Sequence, residues 1–166
     1  VYPDGYSKDT ITEAIAEFEM TLITPNSPFD KYLMGDANAI DEDAKQGYAH
    51  FKEFNCATCH AGKILGGQSF EKMGLKADYF ADRGTEIIEA DLGRYNVTKD
   101  ENDRHKLKTP TLRNIAVTFP YFHDGLTSDL NEVVDMMAKY QVGRDLSAKQ
   151  NEQIVAFLHT LTGEYK

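Results

Sequence analysis

Both cysteines of the chain fall in one stretch, Cys56-Ala57-Thr58-Cys59-His60, with a histidine directly after the second thiol. Three chemistries use such a cluster: a redox-active dithiol, a zinc site, and covalent attachment of haem. Structural zinc needs four ligands, usually from two such pairs, and there is no second pair. A thioredoxin-like dithiol expects a strand before it and a helix after it. Here a helical pattern leads in and the glycine-rich AGKILGG leads out. The Cys-x-x-Cys-His spacing fits c-type haem attachment, where two thioethers fix the porphyrin and the adjacent imidazole is held beneath the iron. Both thiols are then used, so none is left for a disulfide. Covalent haem also points to an oxidising extracytoplasmic compartment, the bacterial periplasm.

The other side of the iron decides what such a group does. A sixth protein ligand closes the iron and makes an electron carrier, whereas an open position permits peroxide or oxygen chemistry. After the cluster the methionines are Met73, Met136 and Met137, and the histidines are His105, His123 and His159. Met137 shares a helical face with Leu130, Val133 and Val134, which makes it the leading candidate. Met136 lies about 100° round the helix, nearer Glu132 and Tyr140. Met73 follows glycine-rich chain and ranks lower. In an arbitrary protein a methionine on an apolar face is core filler. His159 reads as a rim residue, and His105 in KDENDRHK as part of a solvated charge run. His123, in the aromatic turn PYFHDG, could hydrogen-bond a haem propionate or simply hold the chain.

Four amphipathic segments must position these residues. The first follows Ser7, with Ile11, Ile15, Phe18 and Leu22 at 4-3-4 spacing. The second opens at Asp41, with Ala44, Gly47, Tyr48, Phe51 and Phe54 as its stripe, and runs straight into the cysteine cluster. The third starts near Asp129 and fades at Gly143. The fourth opens on the capping pair Ser147 and Gln150 and carries Ile154, Phe157, Leu158 and Leu161. The only strand signal is a short hairpin around residues 69–82. Between His60 and Asp129 lie 68 residues of low periodicity, unusual in a compact domain unless a non-protein body completes the core there. A formal net charge of −9 argues against nucleic acid as a partner and is compatible with docking a basic protein. No apolar run approaches the length of a membrane span.

The order of motifs resembles a known family. YPDG and ITPNSPFDKYL, then CATCH, DLGRYNVT, KTPTLRNIAVTFPYFHDG and IVAFLHTLTGEY look like the C-terminal half of the bacterial di-haem cytochrome c peroxidases. The resemblance covers essentially the whole chain. It implies an all-α cytochrome c-type haem domain over residues 39–166, with a long irregular haem-wrapping segment. Residues 1–38 are then an extra N-terminal helix and linker toward a missing N-terminal domain. The Asp41 helix should cross the Ser147 helix, with Gly47 letting the backbones close up against Phe157.

The resemblance also implies roles. One haem c is held by Cys56 and Cys59, with His60 and Met137 as axial ligands; Met137 falls fourteen residues after His123, the family's separation. His123 is implied at the haem propionates. The backbone carbonyls of Thr118 and Pro120 are implied ligands of a calcium ion at the edge facing the missing domain. Electrons would come from a small soluble donor, a cytochrome c or blue copper protein, and pass to a peroxidatic haem for hydrogen peroxide reduction. This chain has one haem motif, so by itself it is expected to transfer electrons only and holds no catalytic residue of the peroxidatic site. The opening VYPDGYSKDT reads like an interior segment of that family and favours a piece of a longer peroxidase. Two other readings stand beside it: a stand-alone mono-haem carrier, and a mono-haem peroxidase or gas sensor with a labile sixth ligand. A homodimer is compatible with any of them.

Overall fold

The structure is a computed structural model that describes residue 3 and residues 5–165. Tyr2 and Asp4 of the YPDG motif therefore lie outside the described residues. The α-helices are α1 (Lys8–Glu19), α2 (Pro28–Leu33), α3 (Glu42–Glu53), α4 (Tyr79–Arg83), α5 (Tyr95–Thr98), α6 (Leu130–Met137) and α7 (Ala148–His159). Two three-residue strands, β1 (Phe70–Lys72) and β2 (Lys106–Lys108), pair antiparallel with Glu71 opposite Leu107. The strand signal near residue 70 thus pairs with a partner far along the chain, not within a local hairpin. None of the described helices is long and apolar enough to cross a membrane.

The frame is the crossing of α3 and α7. Asp41 caps α3 by accepting from the Ala44 N–H, and Ser147 and Gln150 cap α7 reciprocally. The two backbones meet at Gly47, where a Cβ would lie 1.8 Å from the Gln153 carbonyl oxygen. The close approach is as expected, but the neighbour that demands glycine is this carbonyl rather than Phe157. Phe157 is fully buried and packs beside it, its ring 5.3 Å from Phe51 and 5.2 Å from Tyr48. On the other side α6 is tied to α7 by the buried Asn151, whose Nδ2 donates to the Asn131 carbonyl at 2.8 Å. α6 passes into a π-helical turn over Ala138–Val142 and stops at Gly143, whose φ of +80° suits a residue without Cβ.

The N-terminal segment behaves in two ways. α1 forms behind Ser7, yet it buries nothing: Ile11, Ile15, Phe18 and Leu22 are all about half or more exposed. α2, too short to show a period, is instead part of the core. Ser27 and Asp30 form its capping box, Pro28 opens its first turn, and Phe29 stacks edge-on against Tyr48 and Phe157. Residues 27–33, counted above with the connector, therefore pack into the body of residues 39–166.

The apolar interior forms two clusters. One surrounds the α3–α7 crossing and includes Cys56, Ala57 and Leu65 at its margin. The other gathers Met73, Tyr79, Phe80 and Tyr140, with Met136, Met137 and Leu107 packed against them. Phe122 touches both. The long segment from 61 to 129 is not structureless: it is a chain of short helical turns and positive-φ residues pinned by side chains.

Candidate functional site

α3 ends where the chemistry begins. Phe54 closes the helix, Asn55 turns through a left-handed φ of +63°, and Cys56–Thr58 form a single 3₁₀ turn. The His60 N–H donates to the Cys56 carbonyl at 3.0 Å, so both thiols and the imidazole sit on one tight loop. Burial pushes the Cys56 thiol up to about 11 and raises Cys59 as well. Reactive dithiols have lowered pKa values, often at a helix N-terminus. These thiols follow a helix C-terminus and are shifted the other way, which is a physical argument against a redox dithiol.

The imidazole of His60 is oriented by backbone. Its Nδ1 lies 3.3 Å from the Leu65 carbonyl oxygen, and its ring packs 6.4 Å from Phe51. Burial lowers its pKa, partly offset by the Leu65 and Pro110 carbonyls, so the neutral ring donates from Nδ1. That tautomer leaves the Nε2 lone pair for a metal. The Leu65 carbonyl is itself held by the Leu112 N–H at 3.1 Å, and beside it the Gly67 N–H donates to the Thr109 carbonyl at 2.8 Å. Gly66 lets the strands of this clamp meet, since a Cβ there would fall 2.0 Å from the Pro110 oxygen. Arg113 fastens the clamp to α2, donating to Ser27 Oγ at 3.0 Å, pairing with Asp30 at 2.7 Å, and donating to the Lys63 carbonyl at 3.0 Å. The TPTLRN segment thus has a mechanical role that its spelling did not disclose: it sets the imidazole. A cleft of about 560 Å³ borders His60, between Tyr48, Phe51 and Leu65.

The methionines come together on the second cluster. Met73 is buried, while Met136 and Met137 are half-buried against it. The structure brings all three candidates to one region. His159 is exposed, as expected of a rim residue. His105 corrects the sequence reading. It is only partly exposed: its ring lies 4.3 Å from that of Phe80, and its Nδ1 is 2.7 Å from the Asp91 carbonyl oxygen. Thr118 and Pro120 are exposed, and no hydrogen bond to either carbonyl is found among the described residues.

His123 belongs to a group that sequence reading missed. Its Nε2 lies 2.6 Å from Oδ1 of Asp91, a carboxylate with no exposure at all. Arg83 grips Asp91 with two bonds, of 2.8 and 2.6 Å, and reaches Asp124 at 3.0 Å. The Tyr79 hydroxyl donates to Asp124 at 2.9 Å. Asp91, His123 and Asp124 lie close enough to hold a cation. The guanidinium already bridges the two carboxylates, so the cation of this site is Arg83 itself. Arg83 Nε is buried with no partner among the described residues. A carboxylate-bearing group beside it would supply the missing acceptor.

The chain is similar to known proteins over nearly its whole length. A family model described as di-haem cytochrome c peroxidase matches residues 1–38. The chain is 55% identical over 165 residues to cytochrome c peroxidase Ccp of Escherichia coli K12, covering 99% of this chain and 35% of that protein. It is 46% identical over 161 residues to cytochrome c551 peroxidase of Nitrosomonas europaea, covering 97% of this chain and 46% of that protein. Among solved structures, a MauG-like protein associated with microbial copper homeostasis superposes with a TM-score of 0.77 at 27% identity, over 99% of this chain and 60% of that one. The chain thus spans about half or less of the length of these curated relatives.

Proposed function

Because the chain belongs to the di-haem cytochrome c peroxidase family, we propose that it is the electron-accepting haem domain of such a peroxidase. The family implies a c-type haem. Cys56 and Cys59 would carry its two thioethers, His60 would bind the iron through Nε2, and Met137 would be the second axial ligand. When bound, that group supplies a one-electron centre whose potential is raised by histidine–methionine ligation. The chain's own residues do the rest. The Leu65 and Pro110 carbonyls fix the imidazole, Phe51 of α3 packs beside it, and the methionine cluster would offer a soft ligand. If His60 and Met137 both hold the iron, little rearrangement of these residues would accompany a change in its charge. Peroxide reduction needs an open iron and a nearby proton-moving group, and the single attachment motif here is assigned to neither. That step would then belong to a second haem in another domain of a longer peroxidase, which this domain would supply with electrons.

The observation that carries the reading is the tautomer of His60: Nδ1 is engaged by a backbone carbonyl on the loop that bears both thiols, leaving Nε2 free for metal. We further place the protein in the periplasm, with a small soluble cytochrome c or blue copper protein as donor. Thr118 and Pro120 would contribute carbonyls to a calcium ion at the edge toward the other domain, since two exposed carbonyls suit a hard ion.

The test is spectroscopic. The holoprotein should show a covalent haem c, and its ferrous spectrum should not change on adding carbon monoxide. Met137→Ala should open the iron, so that carbon monoxide shifts the Soret band, and should lower the reduction potential. A wild-type protein that binds carbon monoxide would favour the mono-haem peroxidase or sensor instead. An unchanged Met137→Ala spectrum would move the ligand role to Met136 or Met73.

A further inference from the structure

Three consecutive carbonyls of the loop after His60 are taken up by three consecutive residues of the TPTLRN segment. The Leu112 N–H donates to the Leu65 carbonyl at 3.1 Å, the Thr111 hydroxyl donates to the Ile64 carbonyl, and Arg113 Nε donates to the Lys63 carbonyl at 3.0 Å. The Arg113 N–H donates in turn to Thr111 Oγ1 at 3.1 Å, which closes the segment on itself. The last of the three carbonyls, that of Leu65, is the one that lies 3.3 Å from His60 Nδ1. Leu65 has a φ of +52°, a left-handed conformation that residues other than glycine rarely adopt without support. The bonds from Thr111, Leu112 and Arg113 are the support that keeps this carbonyl on the imidazole.

Arg113 carries the arrangement across to α2. Its Nη1 donates to Ser27 Oγ at 3.0 Å, and its Nη2 pairs with Asp30 Oδ1 at 2.7 Å. Those two acceptors are themselves joined, because the fully buried Ser27 hydroxyl donates to Asp30 Oδ2 at 2.8 Å. Burial opposes ionisation of Asp30, but the bonds from Arg113 and Ser27 outweigh it and keep the carboxyl below the usual range. α2 is a firm anchor: the Phe29 N–H donates to the Thr160 carbonyl at 3.1 Å, and the Phe29 ring packs on Phe157 at 5.0 Å. The guanidinium is thus a fork with one donor on the His60 loop and two on an anchored helix. A planar fork fixes its acceptors relative to one another, which a single ammonium cannot do.

We propose that Arg113 is a positioning residue for His60, which ties the loop of residues 63–65 to α2 and thereby sets the reduction potential of the iron that His60 binds. The proposal rests on the reading that the chain carries haem c with His60 as a ligand. A carbonyl that accepts from Nδ1–H makes the imidazole a more basic ligand. A more basic ligand stabilises the ferric ion more than the ferrous one, because the ferric ion carries the greater charge. Hydrogen bonding behind a ligand is in this way a lever on potential. Freeing the loop weakens the bond to Nδ1, and the potential rises. Arg113 acts through geometry alone and keeps its charge throughout.

The experiment compares the reduction potentials of the holoprotein and its variants, with haem content checked by the absorption spectrum of the reduced pyridine complex. In parallel, solvent exchange of the His60 Nδ1 proton is followed by NMR in the ferrous protein. Arg113→Gln should raise the potential and speed the exchange of that proton. Thr111→Val, at an exposed position, should do both to a smaller extent by removing the bond to the Ile64 carbonyl. Arg113→Lys should recover stability through its charge beside Asp30, yet leave the potential raised. Asp30→Asn should also raise the potential and should add nothing in the Arg113→Gln background, since both act through one fork. Ser147→Ala, which weakens only the cap of α7, should leave the potential unmoved. A potential and exchange rate unchanged in both Arg113→Gln and Thr111→Val overturns the proposal while leaving the haem assignment intact. An equal shift in Ser147→Ala, or full restoration by Arg113→Lys, overturns it as well. Absence of covalent haem in the wild type would instead overturn the functional reading itself.

Discussion

The His60 side and the methionine side of the molecule are built on different principles. The first is a crossing of two capped helices with an aromatic core of Phe29, Phe51 and Phe157, all at or below 3% exposure. The second has few long elements, and its centre holds a fully buried carboxylate gripped by an arginine at 2.6 Å. Burial of apolar area stabilises the first without regard to direction. The second depends on directional bonds that must all be made, because an unpaired buried charge is costly. The division suits the role proposed for the domain, in which one imidazole is held rigidly beside a group with polar edges.

The contrast predicts unequal responses to small changes. Asp91→Ala should have the largest effect, about 3–5 kcal/mol of lost stability, because it strands Arg83 in the interior. Chemical denaturation of the holoprotein measures it; a loss under about 1 kcal/mol would mean the cluster is dispensable. The same carboxylate gives the region a pH signature. Its pKa is depressed on folding, so its contribution is complete above the ordinary aspartate pKa of about 3.9 and drains away as pH falls below that. In acid, amide exchange should therefore rise around residues 79–92 before it rises in α3 and α7.

On the other side, Gly47→Ala should cost about 1–3 kcal/mol, since the new Cβ must push the helices apart. Its effect should spread to the His60 environment, visible as a change in the haem absorption bands. A substitution that costs nothing would mean that the crossing is looser than it looks. Ser147→Ala at the head of α7 should cost about 1 kcal/mol by removing one side-chain cap, and should leave the spectrum alone.

These two sides were not equally legible. The helices of the His60 side announce themselves by period and caps: Ala44, Gly47 and Phe51 on one helix, Ile154, Phe157 and Leu158 on the other. The Cys56–His60 cluster was legible as a unit because the chemistry proposed for it fixes its spacing. α2 was not, because six residues cannot display a period. β1 was mispaired because its partner lies beyond α4 and α5. The charged cluster left no local trace. Asp91 stands among acidic neighbours that are exposed, and only Arg83, eight residues before it, and His123, thirty-two after, make it an interior residue. His105 was misread for the same reason: a charge run predicts solvent unless a distant ring such as Phe80 covers it.

α1 sharpens the comparison by being neither kind of region. It has a Ser cap and a capping box like α7, and the same length of twelve residues, yet it buries none of them where α7 buries five. A hydrophobic stripe states that a face is to be covered, not by what. Within this chain nothing described covers it, so Ile15→Ser should change stability by no more than about 0.5 kcal/mol, against several for a core residue of α7. The measurement is denaturation at two protein concentrations tenfold apart. A small, concentration-independent change would leave the stripe as a surface facing the domain proposed to precede it. A larger loss that grows with protein concentration would instead mean that two copies cover each other's α1. The contrast between the His60 side and the methionine side would then need a third, intermolecular principle.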